Sequence, residues 1–562
     1  MKILGVSAFY HDSAAAIFVD GKLISAIEEE RFSRIKHDNQ FPYRAIQHCL
    51  DSVGLSINDI DAIAYYEKPL LKFERLLETF VVTYPFALLP FLQAIPDWLG
   101  QKINVEEALR KKVGFTKKIY YVPHHTSHAA AAYYSSSFET TAILTIDGVG
   151  EYQTTGLWKG SKGKIEAIAS IDFPHSLGLL YSTFTAYLGF KVNEDEYKVM
   201  GLSAYGSPLY TKEVYRLLDI KSDGSFHLNM EYFSFRENFR MYSNKFIALL
   251  GVDRNSKDPI LKRHKDIAAS IQFVVEDVLF RMLNHLYKVT KTSNVCLSGG
   301  VALNALANGK LYANTQFKNV HIFGAAGDSG AAVGAALFVQ HEINKNAVRK
   351  PIRTLYTGSS YGNELIESTL SCYPNAHVRK YDREAELLQK VAELLTEGKT
   401  VGWFWGKAEF GPRALGARSI LSRPSPRIMK ARMNQIKRRE EFRPFAGSVL
   451  QERVHEYFYT PQESYHSPFM NVCLVVREEK RKELAAIVHE DNSCRIQTVN
   501  EDNGRYYRLI KTFYELTGVP CILNTSFNVM GEPIVEHPKQ ALDDFFRTNM
   551  DWLVLNDFLI HK

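Results

Sequence analysis

The sequence predicts an α/β protein of two domains, and three observations carry that expectation. Strands that run into glycine turns and then into helix-forming segments recur through the first 340 residues. Apolar periodicity lapses over HEINKNAVRKPIRT at 341–354, and a second series of helix and strand signals follows it. With 562 residues, 46% hydrophobic and 23% charged, the chain has the material for real cores and is not a disordered, collagenous or disulfide-scaffold protein. The boundary is expected near 345–355, giving domains 1–350 and 351–562.

The elements follow in order. Apolar runs at 2–7 and 14–19, the Asp20-Gly21 turn and the run at 23–27 predict a β-hairpin opening onto a polar loop, EEERFSRIKHD at 28–38. The uncharged segment 79–95, TFVVTYPFALLPFLQAI, approaches a membrane span in length, but Pro85 and Pro90 are expected to interrupt a helix at two points. It reads as a buried or partner-facing helical cover for a site, so no membrane is expected as a partner. A strand at 141–146 ends at Asp147-Gly148, one at 294–297 enters Ser298-Gly299-Gly300, and one at 320–323 precedes the Gly324 to Gly327 turn and the helical SGAAVGAALFVQH. In the second domain 385–397 reads as an amphipathic helix and 400–405 as a buried strand. No repeat at solenoid periods and no low-complexity tract is present. Six cysteines scattered singly, with a first segment unlike a secretory leader, fit a reducing, cytoplasmic location.

Candidate chemistry begins at PHHTSHAAAAYY. His124 and His128 lie four apart behind Pro123, which stacks two imidazoles on one helix face, the geometry of two metal ligands. His125 stands where a zinc peptidase needs its glutamate, so that reading fails. Asp147 and Asp328 each follow an apolar run beside glycines, where an α/β fold delivers carboxylates to a crevice. Two His and two Asp suit iron, manganese or zinc; the plainer alternative is a pair of helix-start histidines and two turn or N-cap aspartates. The glycine turns at 298–300 and 324–330 offer backbone N–H groups to phosphate. Residues 407–443 hold eleven basic and three acidic residues, a net of +8 against +6 for the whole chain. Arginines placed beside glycine and proline in FGPRALGARS suggest forks for phosphate or carboxylate, with a solvated basic face or an RNA patch as the rival. LNTSFN at 523–528 supplies amides and hydroxyls suited to nucleotide or carbamoyl recognition, or to a plain turn.

Together, SAFYHDSAAA, EEERFSRIKHD, PHHTSHAAAAYYSS, LTIDGVGE, LSGGVALN, GDSGAAVGAA, FGPRALGARSIL, IKRREEFRPFAGSVL and TGVPCILNTSFNVMGEPIV resemble the O-carbamoyltransferases of the nodulation-factor and antibiotic-tailoring (tobramycin) type, over nearly the full length. The resemblance implies an N-terminal actin-like ATPase (ASKHA) domain related to the tRNA threonylcarbamoyl-transfer proteins, and a C-terminal YrdC-like α/β domain. It implies that the second domain makes carbamoyl-adenylate from carbamoyl phosphate and ATP, with Mg serving the ATP. The first domain, with a divalent metal (iron foremost, manganese or zinc as alternatives), then passes the carbamoyl group to a small-molecule hydroxyl acceptor. On this chain the metal would fall to His124, His128, Asp147 and Asp328, and the nucleotide to Ser298, Gly299, Gly300, Asn304 and Gly327. Carbamoyl phosphate and ATP phosphates would fall to Arg413, Arg418, Lys437 and Arg443, and the carbamoyl group to Ser526 and Asn528. His11 is expected to assist deprotonation of the acceptor as a neutral imidazole near its usual pKa, or to bind the acceptor. His11, Lys437, Arg418 and Ser526 are the catalytic candidates. No nucleic acid is expected, and a homodimer is left open. The rival activities are a tRNA threonylcarbamoyladenosine synthase and a non-catalytic nucleotide-binding regulator.

Overall fold

In the computed structural model, which describes residues 1–562 except 238 and 346, the chain divides into two compact units. The first comprises Met1–Ile24, Asn39–Ala307 and Leu311–Pro351; the second comprises Ser25–Asp38, Asn308–Lys310 and Ile352–Lys562.

The first unit is built twice on one plan. In its first sheet β1 (Lys2–Ser7), β2 (Ala14–Val19) and β3 (Lys22–Glu28) form a meander, and β4 (Ala62–Tyr65) and β5 (Lys118–Tyr121) add parallel on the other side of β1, in the order β3-β2-β1-β4-β5. In its second sheet β6 (Thr140–Ile146), β7 (Gln153–Ser161) and β8 (Lys164–Asp172) form the meander. A ribbon of β9 (Leu218–Ile220) and β10 (Phe226–Leu228) intervenes before β11 (Asn294–Ser298) and β12 (Asn319–Ile322) add parallel to β6. The order β12-β11-β6-β7-β8 repeats the first sheet. This duplicated sheet is the actin-like architecture expected of the first domain.

Helices with small side chains join the duplicates. Helix Asp328–Ile343 packs on β1, β2 and β4 and against helix His124–Ser135. The approach is close enough that a Cβ at Gly334 would lie 1.9 Å from the Ser127 carbonyl oxygen, and one at Gly5 2.0 Å from that of Ala332. The alanine and glycine runs exist because backbone meets backbone there. Gly334→Val is therefore expected to lower the thermal midpoint by more than about 10 °C or to abolish soluble expression, read by calorimetry.

The second unit is a mixed α/β sheet, the class expected of a YrdC-like domain. Its strands are β13 (His377–Lys380), β14 (Val401–Phe404), β15 (Arg418–Ser422), β16 (Ala446–Leu450), β17 (Val472–Val475), β18 (Ser493–Val499), β19 (Cys521–Ser526), β20 (Trp552–Leu555) and β21 (Phe558–His561). They lie in the order β13-β21-β20-β14-β15-β19-β16-β18-β17, with β14/β20 and β16/β18 parallel. Helices Glu384–Thr396 and Arg505–Thr517 bury Leu387, Val391, Leu395, Leu509 and Phe513 against Trp403 and Ile522.

Two expectations are corrected. Residues 28–38 are not a solvated loop: Glu28, Glu29, Arg31 and Asp38 are buried, 30–33 are helical, and the segment belongs to the second unit. Segment 79–95 breaks once, at 84–87, between helices Pro69–Thr83 and Leu88–Asp97. Pro90 falls in the first turn, where no N–H is needed. Nor is the segment buried, since Val81, Val82, Phe86 and Leu89 are each about 70% exposed. Among the described residues no helix is long and apolar enough to cross a membrane.

Candidate functional site

In the first unit the four expected ligands converge. Helix His124–Ser135 starts where the Glu151 carboxylate accepts the His124 N–H at 3.0 and 3.1 Å, and one turn later His128 projects beside His124. Asp147 follows β6, and Asp328 opens helix Asp328–Ile343. His128 Nε2 lies 2.9 Å from Asp147 Oδ2, 3.1 Å from His124 Nε2 and 3.5 Å from Asp328 Oδ1; His124 Nε2 lies 3.6 Å from Asp147 Oδ2 and 3.7 Å from Asp328 Oδ1. One ligand atom from each residue falls within 4.8 Å of all the others. All four are buried, and both Asp328 oxygens make no hydrogen bond. A buried carboxylate without hydrogen bonds is costly, and a cation is what relieves it. The donor set of two imidazoles and two carboxylates fits a divalent metal.

The surroundings orient the ligands. Ser298 Oγ lies 3.2 Å from the Ala326 carbonyl and 3.3 Å from His128 Nδ1. By donating to the carbonyl, the hydroxyl accepts from Nδ1–H and leaves Nε2 to ligate. Asp147 Oδ1 accepts Gly148 N–H at 2.7 Å and Oδ2 accepts Gly300 N–H at 3.1 Å. Gly299, at φ +95°, is required because a Cβ would lie 2.1 Å from the Ile146 carbonyl oxygen. Gly327 precedes Asp328, while Asn304 caps helix Ala305–Asn314 and pairs its amide with Gln272. Ser298, Gly299, Gly300 and Gly327 thus stand beside the His/Asp cluster, and Asn304 is occupied with its helix and Gln272. Ser298→Ala is expected to weaken metal binding roughly ten- to a hundredfold without unfolding, measured by chelator competition.

Burial disfavours charge on Asp147, but hydrogen bonds from His124 and His128 outweigh it and hold the carboxyl well below the usual carboxylate range. Burial likewise opposes protonation of His128, yet Asp147 and Asp328 push it up to about 9. His11 sits at the rim, with Nδ1 2.8 Å from Asp12 Oδ2 and Nε2 3.8 Å from Asp328 Oδ2. There too burial is outweighed, by Asp328, Asp12 and Asp147, and His11 is pushed up to about 10. This corrects the expected neutral imidazole for the metal-free protein; a divalent cation on the aspartates cancels the charge responsible. Sequence reasoning missed Tyr10, whose ring is 4.5 Å from that of His11 and 4.7 Å beneath Lys72 Nζ. The available signal was FYHD between two strands: Phe9 and Asp12 both take positive φ, 70° and 55°, and flank Tyr10-His11 in a strained turn.

In the second unit Lys437, Ser526 and Asn528 come together. Lys437 Nζ donates to the Ser526 carbonyl at 2.6 Å, to Ser526 Oγ at 3.0 Å and to Asn528 Oδ1. Burial and the charges of Arg439 and Arg443 depress the Lys437 pKa well below its ordinary value. Arg413 and Arg443 are half-buried, on the loops that enter β15 and β16. Arg418 is placed differently from its expected phosphate role. Fully buried, it donates to the carbonyls of Trp405, Ala417, Ser359 and Gly406 at 3.0 to 3.2 Å and stacks 3.6 Å over Phe404. Its guanidinium shapes the loop rather than facing a ligand. Sequence reasoning missed Arg495, half-buried in β18 with a buried Nε that makes no hydrogen bond and close enough to Arg443 to feel its charge. An arginine inside the apolar run SCRIQTV was the available signal.

Residues 2–337 match the family model for the carbamoyltransferase N-terminus and residues 392–562 that for the carbamoyltransferase C-terminus. An uncharacterized protein of Synechocystis is 46% identical over all of this chain and 96% of its own length. Nodulation protein NolNO of Sinorhizobium fredii is 37% identical over 99% of this chain and 80% of its own, and nodulation protein U of Azorhizobium caulinodans 29% identical over 93% and 92%. The chain belongs to the carbamoyltransferase family and is an enzyme of carbamoyl transfer.

Proposed function

We propose that this enzyme is an ATP-dependent O-carbamoyltransferase that works in two stages, one in each unit. The observation that carries the first stage is Lys437: a buried amine, hydrogen-bonded to neutral oxygens and with its charge opposed by burial and by Arg439 and Arg443, is a seat prepared for a phosphate. Carbamoyl phosphate would lose phosphate to water there, and the resulting carbamate oxygen would attack the α-phosphorus of ATP, forming carbamoyl-adenylate and releasing pyrophosphate. Lys437, Arg413 and Arg443 would neutralise the phosphates, and Ser526 and Asn528 would orient the carbamoyl group. In the second stage the acceptor hydroxyl adds to the carbamoyl carbon in the first unit, its proton leaves, and AMP departs. A divalent metal held by His124, His128, Asp147 and Asp328, iron foremost and manganese or zinc also suited, would supply Lewis-acid charge at the adenylate phosphate. The turns at 298–300 and at Gly327 would meet the nucleotide, and His11 would bind the acceptor hydroxyl or take its proton.

The acceptor is a small molecule with an apolar portion. Helix Pro69–Thr83 begins beside the metal cluster, where Glu151 accepts the Lys68 N–H at 2.7 Å together with that of His124, and its far end carries the exposed Val81 and Val82. Lengthening the alkyl chain of an alcohol acceptor is expected to lower KM severalfold in the wild type and not in Val82→Asp. The tRNA-modifying alternative is disfavoured by the use of the basic stretch. Arg423 and Arg432 bind carbonyls of 396 and 398, Arg427 pairs with Glu490, and Arg439 binds Asn434 and lies over Phe445. Much of the stretch is thus engaged with partners inside its own unit.

The test is incubation with ATP, carbamoyl phosphate and a divalent metal, without acceptor. Carbamoyl-adenylate and pyrophosphate are expected by mass spectrometry and phosphate assay. Their absence with every metal tried would remove the two-stage reading and turn the question to tRNA binding.

A further inference from the structure

The segment 25–38 precedes nearly all of the first unit in sequence, yet it is built into the second. Its polar side chains are spent on two loops there. Glu28 Oε1 accepts the Gly411 N–H at 2.6 Å, and Arg31 donates to the Gly411 carbonyl at 2.8 Å, with Arg31 Nε 3.3 Å from Glu28 Oε2. Both side chains are buried, so the two successive peptide groups that flank the Gly411 Cα, just before Arg413, are held, one at its N–H and the other at its carbonyl. Gly411 has φ +103°, a conformation that needs such holding. Glu409 beside it accepts the N–H groups of Leu415, Ala417 and Arg418 at 2.7, 3.3 and 3.2 Å, which completes the loop.

Three residues after Arg31, Arg34 forks onto the other loop, donating to the Ile534 carbonyl at 2.7 Å and to that of Pro533 at 2.8 Å. That loop is closed by Val535 N–H to the Phe527 carbonyl at 2.9 Å and by Asn528 Nδ2 to the Glu532 carbonyl at 2.6 Å. Its start carries Ser526 and Asn528, the partners of Lys437. Two carbonyls facing one planar guanidinium is an arrangement that lysine cannot reproduce.

We infer that segment 25–38 is a strap belonging to the second unit's carbamoyl phosphate and ATP site, and that Arg34 and the Glu28–Arg31 pair are positioning residues for the loops carrying Asn528 and Arg413. The inference rests on the adenylate-forming reading for its kinetic consequence and on the hydrogen bonds alone for its structural one. The loops hold the anion ligands, so loosening either one misplaces a group that must sit within about 0.5 Å of its productive position. It also gives a use to three charges of the run EEERFSRIKHD: Glu28, Arg31 and Arg34 are matched to backbone groups of distant parts of the chain.

The experiment uses the full-length chain as Arg34→Ala, Arg34→Lys and Glu28→Gln. In carbamoyl phosphate-dependent pyrophosphate–ATP exchange, Arg34→Ala is expected to raise KM for carbamoyl phosphate about tenfold with a smaller change in kcat, and Arg34→Lys to leave most of that defect. Metal content of the first unit and the thermal midpoint are expected to stay at wild-type values for both Arg34 variants. By hydrogen exchange, Arg34→Ala is expected to speed the amides of 527–535 selectively, and Glu28→Gln those of 409–417. Wild-type KM in Arg34→Ala together with unchanged exchange at 527–535 would overturn the strap. Absence of pyrophosphate exchange in the wild type would instead remove the adenylate reading, and the amide protection would still decide the strap by itself.

Discussion

Carbamoyl transfer to an acceptor is expected to fall by at least about a thousandfold in His128→Ala, while carbamoyl-adenylate formation in the same sample is expected to persist. The size of the effect follows from the geometry. His128 Nε2 is within 3.5 Å of one atom of each of the other three ligands, so its loss opens the cluster at its centre. Asp147 loses a 2.9 Å partner, and Asp328, already without a hydrogen bond, is left still more isolated. Bound metal measured on the purified variant is expected to drop to background. His128→Gln, which conserves more of the side-chain volume, separates loss of the ligand from loss of packing: it should keep the wild-type unfolding midpoint and still lack metal. Retention of transfer in a variant free of metal would refute the assignment.

Lys437→Met is expected to cut adenylate formation by a comparable factor, with the opposite partition. Supplied with synthetic carbamoyl-adenylate, the variant should transfer at the wild-type rate, because its first unit is untouched. The lysine also predicts a pH dependence. Its pKa is depressed in the free protein, first by burial and then by Arg439 and Arg443, so above that lowered value the amine is neutral. A bound phosphate raises the pKa again, and binding then takes up a proton. Affinity for carbamoyl phosphate should therefore weaken as pH rises above the free lysine's pKa, by up to about tenfold per unit, and hold steady below it. Lys437→Arg, charged throughout, should bind more weakly with that slope removed. Titration calorimetry across pH in two buffers of different ionisation enthalpy measures the proton taken up. A flat profile in the wild type would remove Lys437 as the titrating seat.

Local pattern made part of this protein legible before any fold was seen. The spacing of His124 and His128 is a property of one helix turn, and the aspartates after apolar strands are properties of strand ends, so all four ligands could be read from short windows. The two-domain α/β class was legible for the same reason. The duplication of the first unit was not: two sheets share one strand order without a visible repeat, because pairing asks for apolar alternation and turns rather than identical residues. Arg418 looked like an anion fork from its neighbours and proved to be enclosed by carbonyls from 359, 405, 406 and 417, a coincidence no short window contains. Ser298 stands in a glycine turn by sequence, yet His128, 170 residues away, is the group it supports.

The amino-acid sequence by itself determined the α/β class and singled out His124, His128, Asp147 and Asp328 as candidate ligands, since these rest on periodicity, turn chemistry and residue type, whereas Lys437, Ser526 and Asn528 were singled out by the family resemblance. Only the tertiary structure decided which polar groups face a ligand and which hold backbone in place. Glu28, Arg31 and Arg34 look like solvated charges in a loop and instead grip peptides some 380 to 500 residues away. The reason is physical: a charge is indifferent to sequence distance, and whether it meets water, a carbonyl or a substrate depends on what the fold brings within about 3 Å of it.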